Sequence, residues 1–219
     1  MRFIRDQGLA LSMFGIFAVT LVGLAVAGWG DYNADQAEHG GATVSLVGYL
    51  GTSAFGEAVF ENWESEFLQM GFYVLLTAYL FSRGSSESKD PDGKAPQNEE
   101  PRLADKRKHV PWPVRRGGLI LTLYEHSLSI ALFAIFFSSF ALHAVMGAAE
   151  YSSEQLVHGG QAVSAIGYLG TSQFWFESLQ NWQSEFLAVG ALITLSIFLR
   201  QRGSPESKPV AASHSETGG

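Results

Sequence analysis

Apolar residues in this chain gather in long runs and do not recur at the spacing of a half-buried helix or strand. Residues 9–29 form an uncharged run of 21, and residues 127–149 form another of 23. At about 1.5 Å of rise per residue, each is long enough to cross the ~30 Å hydrocarbon core of a bilayer. Two shorter runs, 67–82 and 186–199, reach that length if the helix begins earlier, at Trp63 and Trp182, whose indole rings suit the membrane interface. The pattern predicts four spans, at about 9–29, 63–82, 127–149 and 182–199. A cleaved signal is the alternative for the first run, because Arg2 and Arg5 precede it and Ala25-Val26-Ala27 fits a cleavage site. The length of the run, and a comparable segment in mid-chain, favour a span.

Ahead of the second and fourth spans the pattern turns amphipathic. Phe55, Val59, Phe60, Trp63 and Phe67 share one helical face, with Glu57, Glu61 and Glu64 opposite. Phe174, Leu179, Trp182 and Phe186 keep the apolar face in the later segment. Such a stretch either lies on the outer interface or extends the following span above it. Residues 34–50 read as helix interrupted by glycine pairs, and Gly-Thr-Ser at 51–53 as a turn with Thr52 or Ser53 capping the next helix.

These resemblances along the chain have one origin. Shifted by 119 residues, the segment 28–89 aligns with 147–208 without a gap, and 30 of 62 positions are identical. The matches include His39-Gly40-Gly41 with His158-Gly159-Gly160, residues 48–53 with 167–172, Asn62-Trp63 with Asn181-Trp182, and residues 65–68 with 184–187. The repeating unit is span, outer connector, span. Two crossings per unit give both copies the same orientation, related by a pseudo-two-fold axis along the membrane normal. The sequence therefore reads as an all-α integral membrane four-helix bundle of two tandem two-helix repeats with helical outer connectors. The first repeat covers 1–84 and the second 117–203. Between them, 85–116 is polar enough to read as a disordered cytoplasmic linker, and 204–219 as a disordered tail.

Charge sets the orientation. All 14 lysines and arginines fall at Arg2 and Arg5, within 83–116, or within 200–208. The connectors carry acids only: Asp31, Asp35, Glu38, Glu57 and Glu61 in one, Glu150, Glu154 and Glu177 in the other. The positive-inside rule puts both termini and the linker in the cytoplasm and the connectors outside. Lys106-Arg107-Lys108 and Arg115-Arg116 serve either as a topology signal or as a contact for anionic headgroups. Charged residues make up only 16% of the chain, well below the quarter usual in soluble domains, which again points to lipid. Absence of cysteine excludes disulfides and thiolate metal sites, and a net charge of −7 argues against a nucleic-acid partner.

Candidate chemistry lies in the paired polar groups of the connectors: Asp31 with Glu150, His39 with His158, Asn62 with Asn181, and Glu66 with Glu185. Carboxylates and imidazoles together can ligate a cation or relay protons. The plainer reading makes Glu66 and Glu185 first-turn charges on helices capped by Asn62 and Asn181, and the histidines buried imidazoles beside a Gly-Gly bend. His143 reads as a lone interfacial residue, with Glu125 and His126 at the other edge of its span. Residues 47–51, Val-Gly-Tyr-Leu-Gly, evoke a potassium filter, but Leu50 interrupts the required Tyr-Gly step. Gly8/Ser12 and Gly23/Ala27 allow close helix contact in the first span. No nucleophile–base pair, phosphate loop or cofactor motif is present, so enzymatic activity is not expected; a membrane-embedded hydrolase is the remote third reading.

His-Gly-Gly, Gly-Tyr-Leu-Gly-Thr and Asn-Trp-x-Ser-Glu-Phe-Leu between hydrophobic spans resemble a family of small bacterial multi-pass membrane proteins described only as a domain of unknown function. The resemblance covers both repeats and implies a bacterial inner-membrane protein with no established activity. The expectation from sequence is a non-enzymatic inner-membrane protein without a cofactor, in contact with the bilayer and with either a second copy or another membrane protein. The alternative is a small cation or proton pathway built from the paired carboxylates and histidines.

Overall fold

Both long uncharged runs become helices that outlast the apolar stretch. In the computed structural model, which describes residues 2–93, 95–101 and 110–218, α1 (Arg2–Asp6) precedes α2 (Gly8–Glu38), α3 (Leu46–Tyr49) and α4 (Ser53–Tyr79). A 3-10 turn at Pro96–Asn98 is followed by α5 (Trp112–Arg116), α6 (Gly118–Glu125), α7 (Ser127–Val157), α8 (Ala165–Tyr168) and α9 (Ser172–Phe198). No strand occurs among the described residues. α2 and α7 have 31 residues each, about 46 Å of helix. These two are long and apolar enough to cross a membrane. The bounds of α2, α3 and α4 recur in α7, α8 and α9, each displaced by 119 residues.

The connectors are helical only in part. α2 stops at Glu38 because Gly40 takes a positive φ of 73°, and residues 41–45 have no regular structure; Gly159, at 77°, ends α7 the same way. Polar side chains hold these non-helical segments. Asn33 Oδ1 accepts from the Val44 amide at 2.8 Å while its Nδ2 donates to the Val44 carbonyl at 2.9 Å. Ser152 Oγ performs both roles for Val163, at 2.9 and 3.2 Å. α4 and α9 then begin at Ser53 and Ser172, ten residues before the tryptophans, so the amphipathic stretch extends the following helix. Thr52 and Thr171 are the caps: their hydroxyls accept from the Phe55 and Phe174 amides at 3.3 and 3.2 Å.

The chain divides into two compact units, Met1–Glu61 with Ala141–Phe174, and Asn62–Phe140 with Trp175–Gly219. In the first, buried Tyr49 packs on Gly28 of α2, with the rings of Tyr32 and Phe55 at 5.6 and 5.5 Å. Tyr168 packs in the same way on Gly147 of α7, between Tyr151 at 5.6 Å and Phe174 at 5.5 Å. The glycines let each phenol reach the helix axis, where a methyl group would collide with the ring.

In the second unit Leu68 is buried and Phe72 meets Phe133 and Phe186, with centroids at 5.6 and 6.0 Å. Both helix exits carry the residues Arg-Gly-Ser-x-Glu-Ser-Lys, at 83–89 and 202–208. Ser88 Oγ accepts from the Ser82 amide at 2.9 Å and Ser207 Oγ from that of Gln201 at 2.8 Å, satisfying the chain as it leaves each helix. Lys89 donates to the Ala78 carbonyl at 2.7 Å, and buried Lys208 to the carbonyls of Ser213, His214 and Glu216. The described parts of the linker and tail carry turns and these specific hydrogen bonds. Lys106-Arg107-Lys108 lies outside the described residues, whereas Arg115 and Arg116 are exposed on α5.

Candidate functional site

The most buried polar group in the first unit is His143, on α7, with no solvent exposure. Its ring stacks on that of Phe174 at 4.9 Å and 29°, which fixes the imidazole plane. Ala144 and Ala148 bury the same side of the helix. A ring nitrogen of His143 lies within 4.8 Å of a carboxylate oxygen of Glu57, on the first turns of α4. Glu57 is half-buried, and its Oε1 accepts from the Tyr168 hydroxyl at 3.2 Å. Gly147, one turn beyond His143, leaves the space in which that carboxylate and phenol meet: a Cβ there would come within 2.7 Å of Glu57 Oε1. An imidazole, a carboxylate and a phenol are thus assembled by three helices in an apolar setting, where stranding a charge or polar group is expensive.

One reading from sequence is corrected here: His143 is fully enclosed and not a lone interfacial residue. The acidic side of α4 is covered as well: Glu57 is half-buried, and Glu64 is completely buried, accepting from the Trp182 indole at 3.1 Å in the second unit. A helical wheel separates faces correctly but cannot tell which one a neighbouring helix covers.

The pairs proposed from sequence are distributed differently. His39 and His158 are exposed, not buried, and each engages its own helix, Nδ1 lying 3.0 Å from the Asp35 carbonyl and 2.9 Å from that of Glu154. Asp31 is exposed and Glu150 half-buried, the latter accepting from Ser53 Oγ at 2.8 Å. Both acids act on Tyr49, whose phenol is held above its ordinary range, first by burial and then by the charges of Asp31 and Glu150. Glu66 is exposed and Glu185 is half-buried. Neither glutamate occupies a first turn, because α4 and α9 start well before them. Asn62 and Asn181 therefore sit mid-helix, away from the helix starts; the Asn181 amide donates to the Glu177 carbonyl at 3.3 Å.

Residues 47–51, compared above with an ion filter, lie in α3 and the turn after it, and the central carbonyls are taken: that of Gly48 accepts from the Gly51 amide at 3.1 Å, and that of Tyr49 from the Thr52 amide at 2.9 Å. No row of carbonyls is left to replace a hydration shell.

A signal for the His143 group was present in the alignment of the two halves. His143 stands opposite Leu24, and Glu57 opposite Phe176. These are polar departures from an apolar scaffold, 86 residues apart in sequence, and they meet in space.

An all-helical chain with two helices able to cross a membrane defines a broad class. Within it, residues 1–219 match the family model described as "Domain of unknown function (DUF6766)", and the chain belongs to that family. No curated protein and no solved structure matches it.

Proposed function

We propose that this chain is a four-span protein of the bacterial inner membrane, with both termini cytoplasmic, built of two same-orientation repeats and working without enzymatic activity. It acts through contacts with lipid and with a second copy or another membrane protein. The observation that carries this reading is α2: none of its apolar window is buried, and Leu9, Phe14 and Val19 are more than 70% exposed. In water such a helix would be an aggregation surface; in a bilayer it is at rest. The basic residues, confined to the termini and the linker, supply the orientation. Reporter fusions after Arg83 and after Lys208 should read cytoplasmic, and fusions within 33–45 or 152–164 external. A cytoplasmic signal from either connector would overturn the four-span arrangement.

The buried His143–Glu57–Tyr168 group favours a second reading, a cation or proton pathway. An ionisable cluster enclosed by membrane helices is costly to keep and commonly marks such a route. The paired Glu66 and Glu185 belong to the same reading. In liposomes, Glu57→Gln and Glu66→Gln/Glu185→Gln should each reduce ion or proton flux; equal flux in wild type and both variants would remove this reading.

A further inference from the structure

We infer that Glu57 and His143 form a binding site for one divalent transition-metal cation of the zinc class, with Tyr168 as the residue that orients the carboxylate. The inference rests on the second reading above and chooses a metal cation over a proton.

The donor set comes first. One imidazole nitrogen and one carboxylate oxygen within 4.8 Å are spaced to converge on a single ion. Imidazole suits zinc, iron, nickel and copper, whereas magnesium and calcium prefer all-oxygen sites. His143 is positioned as a ligand would be: its plane is set by stacking on Phe174 and it is shielded from water. Glu57 is the more accessible partner, half-buried. The Tyr168 hydroxyl bonded to Glu57 supplies the hydrogen bond from outside the coordination sphere that ligating carboxylates commonly receive.

A structural role explains the cluster less well. At the offset of 119 residues each ligand faces an apolar residue, Leu24 for His143 and Phe176 for Glu57, and helices of the same bounds form around them. The scaffold folds without these two groups, yet both occur together and meet. Tyr168, by contrast, has a counterpart in Tyr49, so the orienting residue belongs to the scaffold and only the two ligands are additions.

Full-length protein purified in detergent and stripped with chelator would be titrated with zinc chloride, manganese chloride and magnesium chloride, following equilibrium dialysis and thermal melting. We expect one zinc per chain, a melting temperature that rises with zinc concentration, and no response to magnesium at the same concentration. His143→Leu, which installs the residue of the matching position, and Glu57→Gln should each abolish saturable binding. The metal-free His143→Leu protein should melt no lower than the metal-free wild type, which separates ligand loss from misfolding. Tyr168→Phe should weaken binding by about 10–100-fold, as removal of such a supporting partner does. His39→Ala/His158→Ala should still bind one zinc. Wild type without saturable zinc uptake, binding that survives His143→Leu, or binding lost with the exposed histidines would each overturn the site. If zinc fails to bind but proton uptake after a pH jump still requires Glu57, the metal site falls and the proton pathway stands. If neither is found, both fall.

Discussion

Trp182 donates its indole proton to Glu64 at 3.1 Å, closing a buried contact between residues 118 apart in the chain. Phe136 packs against the same indole at 6.5 Å, so the carboxylate is enclosed by aromatic surface. Hydrogen bonds to charged groups in such places contribute about 1.5–3 kcal/mol. Trp182→Phe should therefore destabilise the protein by about 2 kcal/mol in a reversible denaturation assay. Glu64→Gln, which keeps an acceptor, should cost less, and a double-mutant cycle should recover a coupling near 1 kcal/mol or more, as for directly bonded partners.

Gly147 should tolerate no side chain. A Cβ there collides with the Tyr168 ring and approaches Glu57 Oε1 to 2.7 Å, while one at Gly15 of α2 meets nothing within 4 Å. Gly147→Ala should cost about 1–3 kcal/mol through overpacking. Gly15→Ala should be neutral or stabilising by about 0.5–1 kcal/mol through helix propensity. Equal effects of the two substitutions on the melting temperature would contradict this packing.

Tyr49 gives a pH dependence with a definite sign. Its phenol is held above the ordinary value, first by burial and then by Asp31 and Glu150, so the folded chain keeps the proton more tightly than the unfolded one. That contribution to stability is fully present below about pH 10 and is lost as pH rises through the folded-state value. In an absorbance titration, the difference between wild type and Tyr49→Phe should show a tyrosinate forming later than in unfolded protein. Asp31→Asn should move it only part of the way back, because burial is the larger cause.

The two long apolar helices are legible in the sequence because they are a one-dimensional property: a run of apolar residues has a length. Helix caps were half legible. Thr52 was recognisable beside its glycine, but Asn62 looked equally suitable until α4 proved continuous through it. The His143 group was the hardest to read, because Glu57 and His143 come from different helices and no local spacing links them. Only comparison of the two halves, Leu24 against His143 and Phe176 against Glu57, exposes them as a pair.

Lys208 should govern the order of the tail. Its ammonium donates to the carbonyls of Ser213, His214 and Glu216 at 3.0, 3.2 and 2.8 Å. Burial lowers its pKa, with Arg200 adding to the effect and Glu216 opposing it. Lys208→Met should speed hydrogen exchange at the amides of Ala212 and Gly218, which bond to Pro209 and Ser85. The increase should be at least about tenfold, since a single charge-assisted bond is worth about 1.5 kcal/mol. Unchanged protection at both amides would show that the tail holds its turns without the lysine.

The mismatch of Leu24 with His143, and of Phe176 with Glu57, bears on why the two halves share one polypeptide. Were each half a separate, identical subunit, any side chain placed in one would be placed in both. An assembly of such subunits would carry two imidazoles and two carboxylates, or none. Covalent joining lifts that constraint: one half can keep leucine where the other acquires histidine, and one can keep phenylalanine where the other acquires glutamate. A single, unrepeated polar centre within a repeated framework is available only to a chain whose halves are free to diverge.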